Sequence, residues 1–363
     1  MVAAMPYLER RIEELEKWLV AGPIQLQADG HYGGIAGWLD NAGIPAFAYG
    51  ESTGYYLTCG AFALAAGSGF SKQWHERMLR AEQWLHALWS KPPPPTRHYV
   101  TAIQDWRNEA TFTFDCSIML RGLGDRVGAQ ARNTRLAIMH QLTQHVADDG
   151  SFVSQLPLGT RKADLPRRWS TMAGPFLLKA AAATLSVGDL TPDVVVAAER
   201  TATKWCDWYK QHQPAGDLHP LLYYLEGLFL LNVPISKTEG SGTLLSVYLH
   251  VLSLQRDDGS LPQNFEDRES PARADVLAQA LRLGCLMIGS GLLERRLWAQ
   301  HLDRLAASLE TFIDESGGVR FQHVADATPQ INVWCSIFAY QALVLYDRVR
   351  RNASMDELVR LIA

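Results

Sequence analysis

Segments of helical length alternate along this chain between two kinds, and that alternation leaves little room for anything but an all-helical fold. Amphipathic, strongly charged segments fall near 5–20, 72–90, 127–148, 191–212, 240–256 and 292–313. Between them lie more apolar segments near 54–68, 113–124, 170–186, 218–231, 271–289 and 331–348, rich in Ala, Leu, Gly and Tyr. A helix apolar on nearly every face is buried, and one with a polar face lies at the surface. The pattern therefore predicts outer and inner helices in turn, repeating every 50 residues or so, as in a helical repeat array. Six such pairs predict an all-α fold, an (α/α)6 toroid of inner and outer helices joined by short extended turns. An open solenoid and a two-domain bundle are the alternatives.

A second repeat accompanies the first. Acidic-glycine turns follow four outer segments, at Asp29-Gly30, Asp149-Gly150, Asp258-Gly259 and Asp314 through Gly318. Glycine just past a helix end readily takes the left-handed cap conformation. Each turn leads into a short, partly extended stretch: HYGGIAGW, SFVSQL, SLPQNF or GVRF. A four-proline run before Thr96 and GTRKADLPRR (159–168) replace or extend this pattern elsewhere. Nothing divides the chain, so 1–363 is expected to form one domain, with a short extra helix over 354–363.

With 363 residues, 47% hydrophobic, the chain is long enough to bury a large core. A net charge of −4, with no run of Lys or Arg beyond a pair, gives no footprint for nucleic acid. No apolar stretch reaches membrane-spanning length. The opening MVAAMPYLERRIEELEKWLV alternates acid and base at helical spacing, unlike a signal peptide. Cys59, Cys116, Cys206, Cys285 and Cys335 are far apart and odd in number, which predicts reduced thiols in a cytoplasmic protein.

In a ring of this kind the loops entering the inner helices converge on one mouth. They read HYGGIAGWLDNAGIPAFAYGESTGYY (31–56), WRNEATFTFD (106–115), RKADLPRRWST (161–171), AGDLHPLLYY (215–224), QNFEDRESPARAD (263–275) and TPQINVW (328–334). Long loops of this composition are commonly functional. His219, Tyr223 and Glu226 are spaced i, i+4, i+7 on one face of an apolar helix, and Asp275, Gln279 and Arg282 repeat that spacing on the next inner one. Asp115 and Arg121 bracket a third inner segment without sharing a face. Buried polar groups are costly unless partnered, so these residues either satisfy one another or face a ligand. Both outcomes are open: Asp275 and Arg282 as a structural ion pair, His219 as a helix-start donor before Pro220, Glu226 as core pairing. Of Tyr55 and Tyr56, adjacent on a helix, one must face inward. Glu51 precedes a helix, where a carboxylate also stabilises the N-terminus. Trp38, Trp106, Trp169 and Trp334, at loop ends, suit packing or stacking on sugar rings.

Neither HExxH, HxH nor a Cys/His cluster is present, so no metal or cofactor is expected. Asp148-Asp149-Gly150 and Asp257-Asp258-Gly259 lack the alternating oxygen ligands of a calcium loop. The absence of GxGxxG, Walker and GxSxG motifs removes support for nucleotide-dependent and α/β-hydrolase chemistry.

Tyr49-Gly50-Glu51-Ser52-Thr53-Gly54-Tyr55 resembles the "YPE-TGY" element of bacterial six-hairpin toroid proteins encoded with polysaccharide genes. Those proteins are related to D-glucuronyl C5-epimerases and, more distantly, to polysaccharide lyases and glycosidases. Phe114-Asp115 with Leu120-Arg121-Gly122-Leu123 is similar to that group's "FD…-RGL" helix. His219 through Gly227 resembles its "H…Y-LEGL" helix, and Arg273-Ala274-Asp275 through Arg282 its "R-DV-AQALR" helix. Gly50 departs from the group, standing where it usually has Pro. The resemblance implies a carbohydrate substrate and removal of the C5 proton of a uronic acid, by an epimerase or a lyase. The expected catalytic residues are Glu51, Tyr56, His219 and Tyr224: Arg273 and Arg282 hold the carboxylate with His219 nearby, and Tyr56, Tyr224 or Glu51 carries protons. Trp38, Tyr49, Tyr55, Asp115, Arg121, Tyr223, Glu226, Asp275, Gln279 and Trp334 complete the implied substrate site. The alternatives are a two-carboxylate glycoside hydrolase, a terpene-cyclase-like enzyme without DxDD or DDxxD, and a non-catalytic glycan-binding protein. The oligomeric state is not legible.

Overall fold

The computed structural model describes residues 5–40, 42–91, 93–100, 103–158, 165–232, 239–323 and 330–362. Six outer helices are α1 (Met5–Ala21), α3 (Ser71–Trp89), α5 (Ala129–Gln144), α7 (Pro192–Cys206), α10 (Glu239–Leu252) and α12 (Arg295–Glu310). Six inner helices are α2 (Gly50–Ala66), α4 (Thr113–Gly122), α6 (Leu177–Leu185), α9 (Leu218–Asn232), α11 (Ala274–Gly289) and α13 (Val333–Arg351). The short α8 (Trp208–Gln211) follows α7 after a break at Asp207, where one longer helix was predicted.

The inner helices close into a ring. α2 packs on α4, α4 on α6, α6 on α9, α9 on α11, α11 on α13, and α13 returns to α2. The outer helices surround them, with α1 between α13 and α3. The architecture is an (α/α)6 toroid, a closed ring rather than an open solenoid. α6 starts at Leu177, later than the predicted 170, because Gly174-Pro175 disfavours helix before it and residues 169–171 form a 3₁₀ turn. The tail carries only a 3₁₀ turn, Val359–Leu361.

Small residues set the ring's diameter. A Cβ on Gly122 would lie 2.4 Å from the Gly54 carbonyl oxygen, so α4 and α2 touch backbone to backbone. Gly227 meets the Leu178–Lys179 peptide in the same way, at 2.6 Å, joining α9 to α6.

All outer-to-inner connections lie at one end of the ring. Three antiparallel ladders tie four of them together: β1 (Trp38–Leu39) with β6 (Ile331–Asn332), β2 (Phe47–Tyr49) with β3 (Arg97–Tyr99), and β4 (Ala110–Phe112) with β5 (Gln155–Pro157). β2, β4 and β6 run directly into α2, α4 and α13, so the first turns of those helices are fixed by strand pairing. Gly30, Gly150, Gly259 and Gly317 all have left-handed φ, between 77° and 91°. They are not helix caps as expected. Gly150 and Gly317 sit in tight turns several residues past the helix, between bridged pairs Val146–Phe152 and Ile313–Val319. Asp149 and Asp314 accept from the backbone N–H two residues on and hold those turns.

Candidate active site

At the strand-bearing end, the first turns of the inner helices and the loops before them enclose a cavity of about 270 Å³. Trp38, Trp106, Trp169, Trp334, Phe112, Phe114, Phe176 and Phe321 supply its aromatic walls. Glu51, Asp115, Arg97, Arg107, Arg168, His219 and Arg273 supply its ionisable groups. Asn41 and residues 161–164 and 328–329 of the expected mouth loops lie outside the described residues.

The two i, i+4, i+7 faces meet rung by rung across the α9–α11 contact. His219 Nδ1 lies 2.7 Å from Gln279 Oε1 and 3.4 Å from Asp275 Oδ2. Asp275 accepts from Arg273 Nε and Nη2 at 3.0 and 2.5 Å, and from the Val276 amide. Two rungs deeper, Glu226 accepts from Arg282 at 3.0 and 2.5 Å and from Lys179 Nζ at 2.6 Å. Gln279 Nε2 points at the same carboxylate, 3.5 Å away. Its carbonyl oxygen is therefore directed at His219.

These contacts decide the imidazole's state. Burial lowers the His219 pKa to about 4, so the ring is neutral at pH 7. Facing two acceptors, Nδ1 carries the proton, and Nε2 is left as an unprotonated base. Tyr223, with ring centroid 4.3 Å away, and Trp169, at 5.7 Å, hold the ring plane. No hydrogen bond among the described residues occupies Nε2, and His219 lines the cavity.

A carboxylate pair stands on the opposite wall. In ring order α2 and α9 are three places apart, which puts Glu51 across from His219. Burial, and the Glu51 charge beside it, push the Asp115 carboxyl well above the ordinary range. Burial also raises Glu51, opposed by Tyr49, Lys179 and Tyr55 nearby. Of the two carboxyls Asp115 is shifted the further, so it is the one that keeps its proton to higher pH. The Tyr55 and Tyr223 hydroxyls meet at 2.9 Å across the ring and separate the cavity from the Lys179–Glu226–Arg282 cluster.

Of the residues singled out from sequence, Trp38, Tyr49, Glu51, Asp115, His219, Tyr223, Arg273 and Trp334 line this cavity. Tyr55, Glu226, Asp275, Gln279 and Arg282 are fully buried behind it, and Arg282 is tied to Glu226 and Gln341. Three residues are elsewhere. The Tyr56 hydroxyl donates to the Leu19 carbonyl, its ring against Trp74 of α3. Tyr224 donates to the Cys206 carbonyl. Arg121 bonds Ser186 and the Arg360 carbonyl at the other end of the ring. The reason is helical geometry: neighbours in sequence diverge by about 100°, and six residues advance about 9 Å along the axis.

Two groups escaped the sequence reading. Lys179, a lone cation in LLKAAAATL, sits over the rings of Tyr223 (4.7 Å), Phe338 (5.4 Å) and Tyr55 (5.5 Å). Burial lowers its pKa to about 7. Its isolation in an apolar helix was the available signal. Arg97, on β3, has its guanidinium over Phe47 (4.4 Å), Trp38 (4.6 Å) and Tyr49 (5.7 Å). Nothing in a helical pattern points to it. Among the described residues no group of His, Cys, Asp and Glu is arranged to hold a metal ion.

No known family profile matches the sequence, and no curated protein matches it. Solved structures match in shape. A cellobiose 2-epimerase from Bacillus thermoamylovorans has a TM-score of 0.71 at 11% identity, covering 96% of this chain and 100% of its own. A D-mannose isomerase has a TM-score of 0.67 at 13% identity, with 94% and 97% covered. An unsaturated glucuronyl hydrolase specific for heparin has a TM-score of 0.66 at 10% identity, with 95% and 98% covered. At these identities the likeness establishes the toroid alone.

Proposed function

We propose that this chain is a carbohydrate-active enzyme that removes the C5 proton of a uronic acid sugar, as an epimerase or a lyase. The observation that carries this reading is His219, its Nδ1 engaged by Gln279, sharing one small aromatic cavity with the Glu51 and Asp115 carboxyls. Abstraction at C5 puts the C5–H electron pair into the adjacent carboxylate and the proton on His219. Asp115 then delivers a proton to the opposite face, giving the epimer. If Asp115 instead protonates the C4 oxygen, the C4–O bond breaks, the substituent leaves as its alcohol and a C4=C5 double bond forms, giving the unsaturated sugar. Acid-base groups placed in this way each contribute roughly 10²- to 10⁴-fold. The shared fold with a sugar epimerase, a sugar isomerase and a glucuronyl hydrolase supports a sugar substrate. A cavity of about 270 Å³ suits one sugar ring or a chain end better than the middle of a polymer.

The test is incubation with glucuronate- and galacturonate-terminated oligosaccharides in D2O. Loss of the H5 proton signal is expected, with ultraviolet absorbance of the unsaturated product marking a lyase. His219→Gln is expected to slow exchange by about 10²-fold or more. Undiminished exchange in that variant contradicts the assignment. A second reading rests on the Glu51–Asp115 pair, since two carboxyls, one holding a proton, are also what a glycoside hydrolase requires. Release of a reducing end without H5 exchange decides for it.

A further inference from the structure

C5 abstraction is favoured by a cation or hydrogen bonds on the sugar carboxylate, and the two arginines implied for that role are committed elsewhere. Arg282 is fully buried against Glu226, and Arg273 spends Nε and Nη2 on Asp275. Arg97 differs. Its side chain is buried, with 7% of the residue exposed, yet it lines the cavity. Nη1 donates to Asp105 at 3.2 Å. Nε is buried with no hydrogen-bond partner among the described residues. A buried N–H left unsatisfied is costly, and such groups are rare without a reason. Nη2 makes no hydrogen bond among those residues either, so the whole Nε–Nη2 edge is uncommitted.

The guanidinium is held in place. Trp38, Phe47 and Tyr49 fix the guanidinium plane, and Asp105 anchors its far corner. Asp105 is itself held by the Tyr99 hydroxyl at 2.8 Å and by Arg107. One carboxylate, Asp105, thus serves two arginines, and Arg168 is a further cation on the same cavity, which also holds the Glu51 and Asp115 carboxyls. A planar guanidinium edge matches a carboxylate through two parallel N–H···O bonds.

We propose that the Nε–Nη2 edge of Arg97 is the carboxylate subsite of the cavity and sets its preference for acidic over neutral sugars. The inference rests on the sugar-uronate reading above. It adds which residue holds the acid group, on the hairpin beside α2 rather than on α11.

Binding measured by calorimetry tests it without turnover. The probes are methyl glucuronoside, its methyl ester, methyl glucoside and glucose 6-phosphate. The wild-type protein is expected to bind the free acid about tenfold or more tightly than the glucoside, with the ester falling to the glucoside level. Arg97→Gln is expected to remove the difference, and Arg97→Lys to keep part of it, because charge survives but the two-point contact does not. The ester arm uses unaltered protein, so misfolding of a variant does not blur the result. Equal binding of acid and ester overturns the subsite, as does a folded Arg97→Gln protein that still prefers the acid, or tighter binding of the phosphate than of the acid. Acid preference without H5 exchange leaves the subsite standing and removes the C5 chemistry. Exchange that continues while Arg97→Gln keeps its preference does the reverse.

Discussion

His219 shows how much chemistry hangs on the partner of one ring nitrogen. Its Nδ1 proton is directed by Gln279 and Asp275, and only then is Nε2 a base. The proposed reaction therefore needs His219 neutral and Asp115 protonated. Activity is expected to fall on the acid side as pH approaches about 4, where the imidazole takes up a proton. It is expected to fall on the alkaline side as Asp115 loses the proton that burial and Glu51 hold on it. A pH–rate profile of H5 exchange checks both limbs, and Asp115→Asn is expected to lower the rate and abolish the alkaline limb. Stability shares the acid dependence. Burial lowers His219 and His145 to about 4, the latter held between the Thr111 and Thr113 hydroxyls. Below the ordinary value of 6.5 the unfolded chain binds protons that these two folded imidazoles refuse, so stability is lost as pH falls from 6.5 toward 4. The cost is about 3 kcal/mol for each histidine by pH 4, on the scale of roughly 1.4 kcal/mol per pKa unit. Urea midpoints measured across that window are expected to drop steeply.

At the scale of elements, backbone contact between inner helices carries the site. Gly227 lies one residue past Glu226, so the approach of α9 to the Lys179 peptide also brings Lys179 and Glu226 together. A Cβ there has no space and the obstructing atoms are backbone, so α9 must shift bodily. Gly227→Ala is expected to destabilise the fold by about 1–3 kcal/mol in chemical denaturation, the usual cost of overpacking. Gly54 and Gly122 place α2 against α4 in the same manner, which is what brings Glu51 near Asp115. These roles were partly legible. Glycines within apolar helical segments are visible in sequence, and the six inner segments were placed within a few residues, α6 apart. The close crossings were not, because a glycine's neighbour across a helix pair is absent from its own local pattern.

Across the whole molecule, one buried polar column joins four helices of the ring: Lys179 of α6, Glu226 of α9, Gln279 and Arg282 of α11, and Gln341 of α13. Its single carboxylate, Glu226, answers two cations. Removing one member of such a cluster strands the others, whereas replacing all by apolar groups can be neutral. Glu226→Leu alone is expected to cost about 3–5 kcal/mol in urea denaturation. Adding Lys179→Met and Arg282→Leu is expected to recover much of that loss. Recovery of stability without recovery of activity separates the column's structural role from its part in orienting Gln279 toward His219.

What the sequence determined by itself was direction. Periodicity assigned inner and outer helices, and the i, i+4, i+7 spacing selected the faces of His219 and Asp275, because both are properties of a single helix. Height along the ring axis was settled only by closure: Asp115 reached the cavity and Arg121 the far end, from one ten-residue helix. Arg97 belongs wholly to the tertiary structure. Its position depends on β3 pairing with β2, and strand partners distant in the chain leave no trace in local spacing.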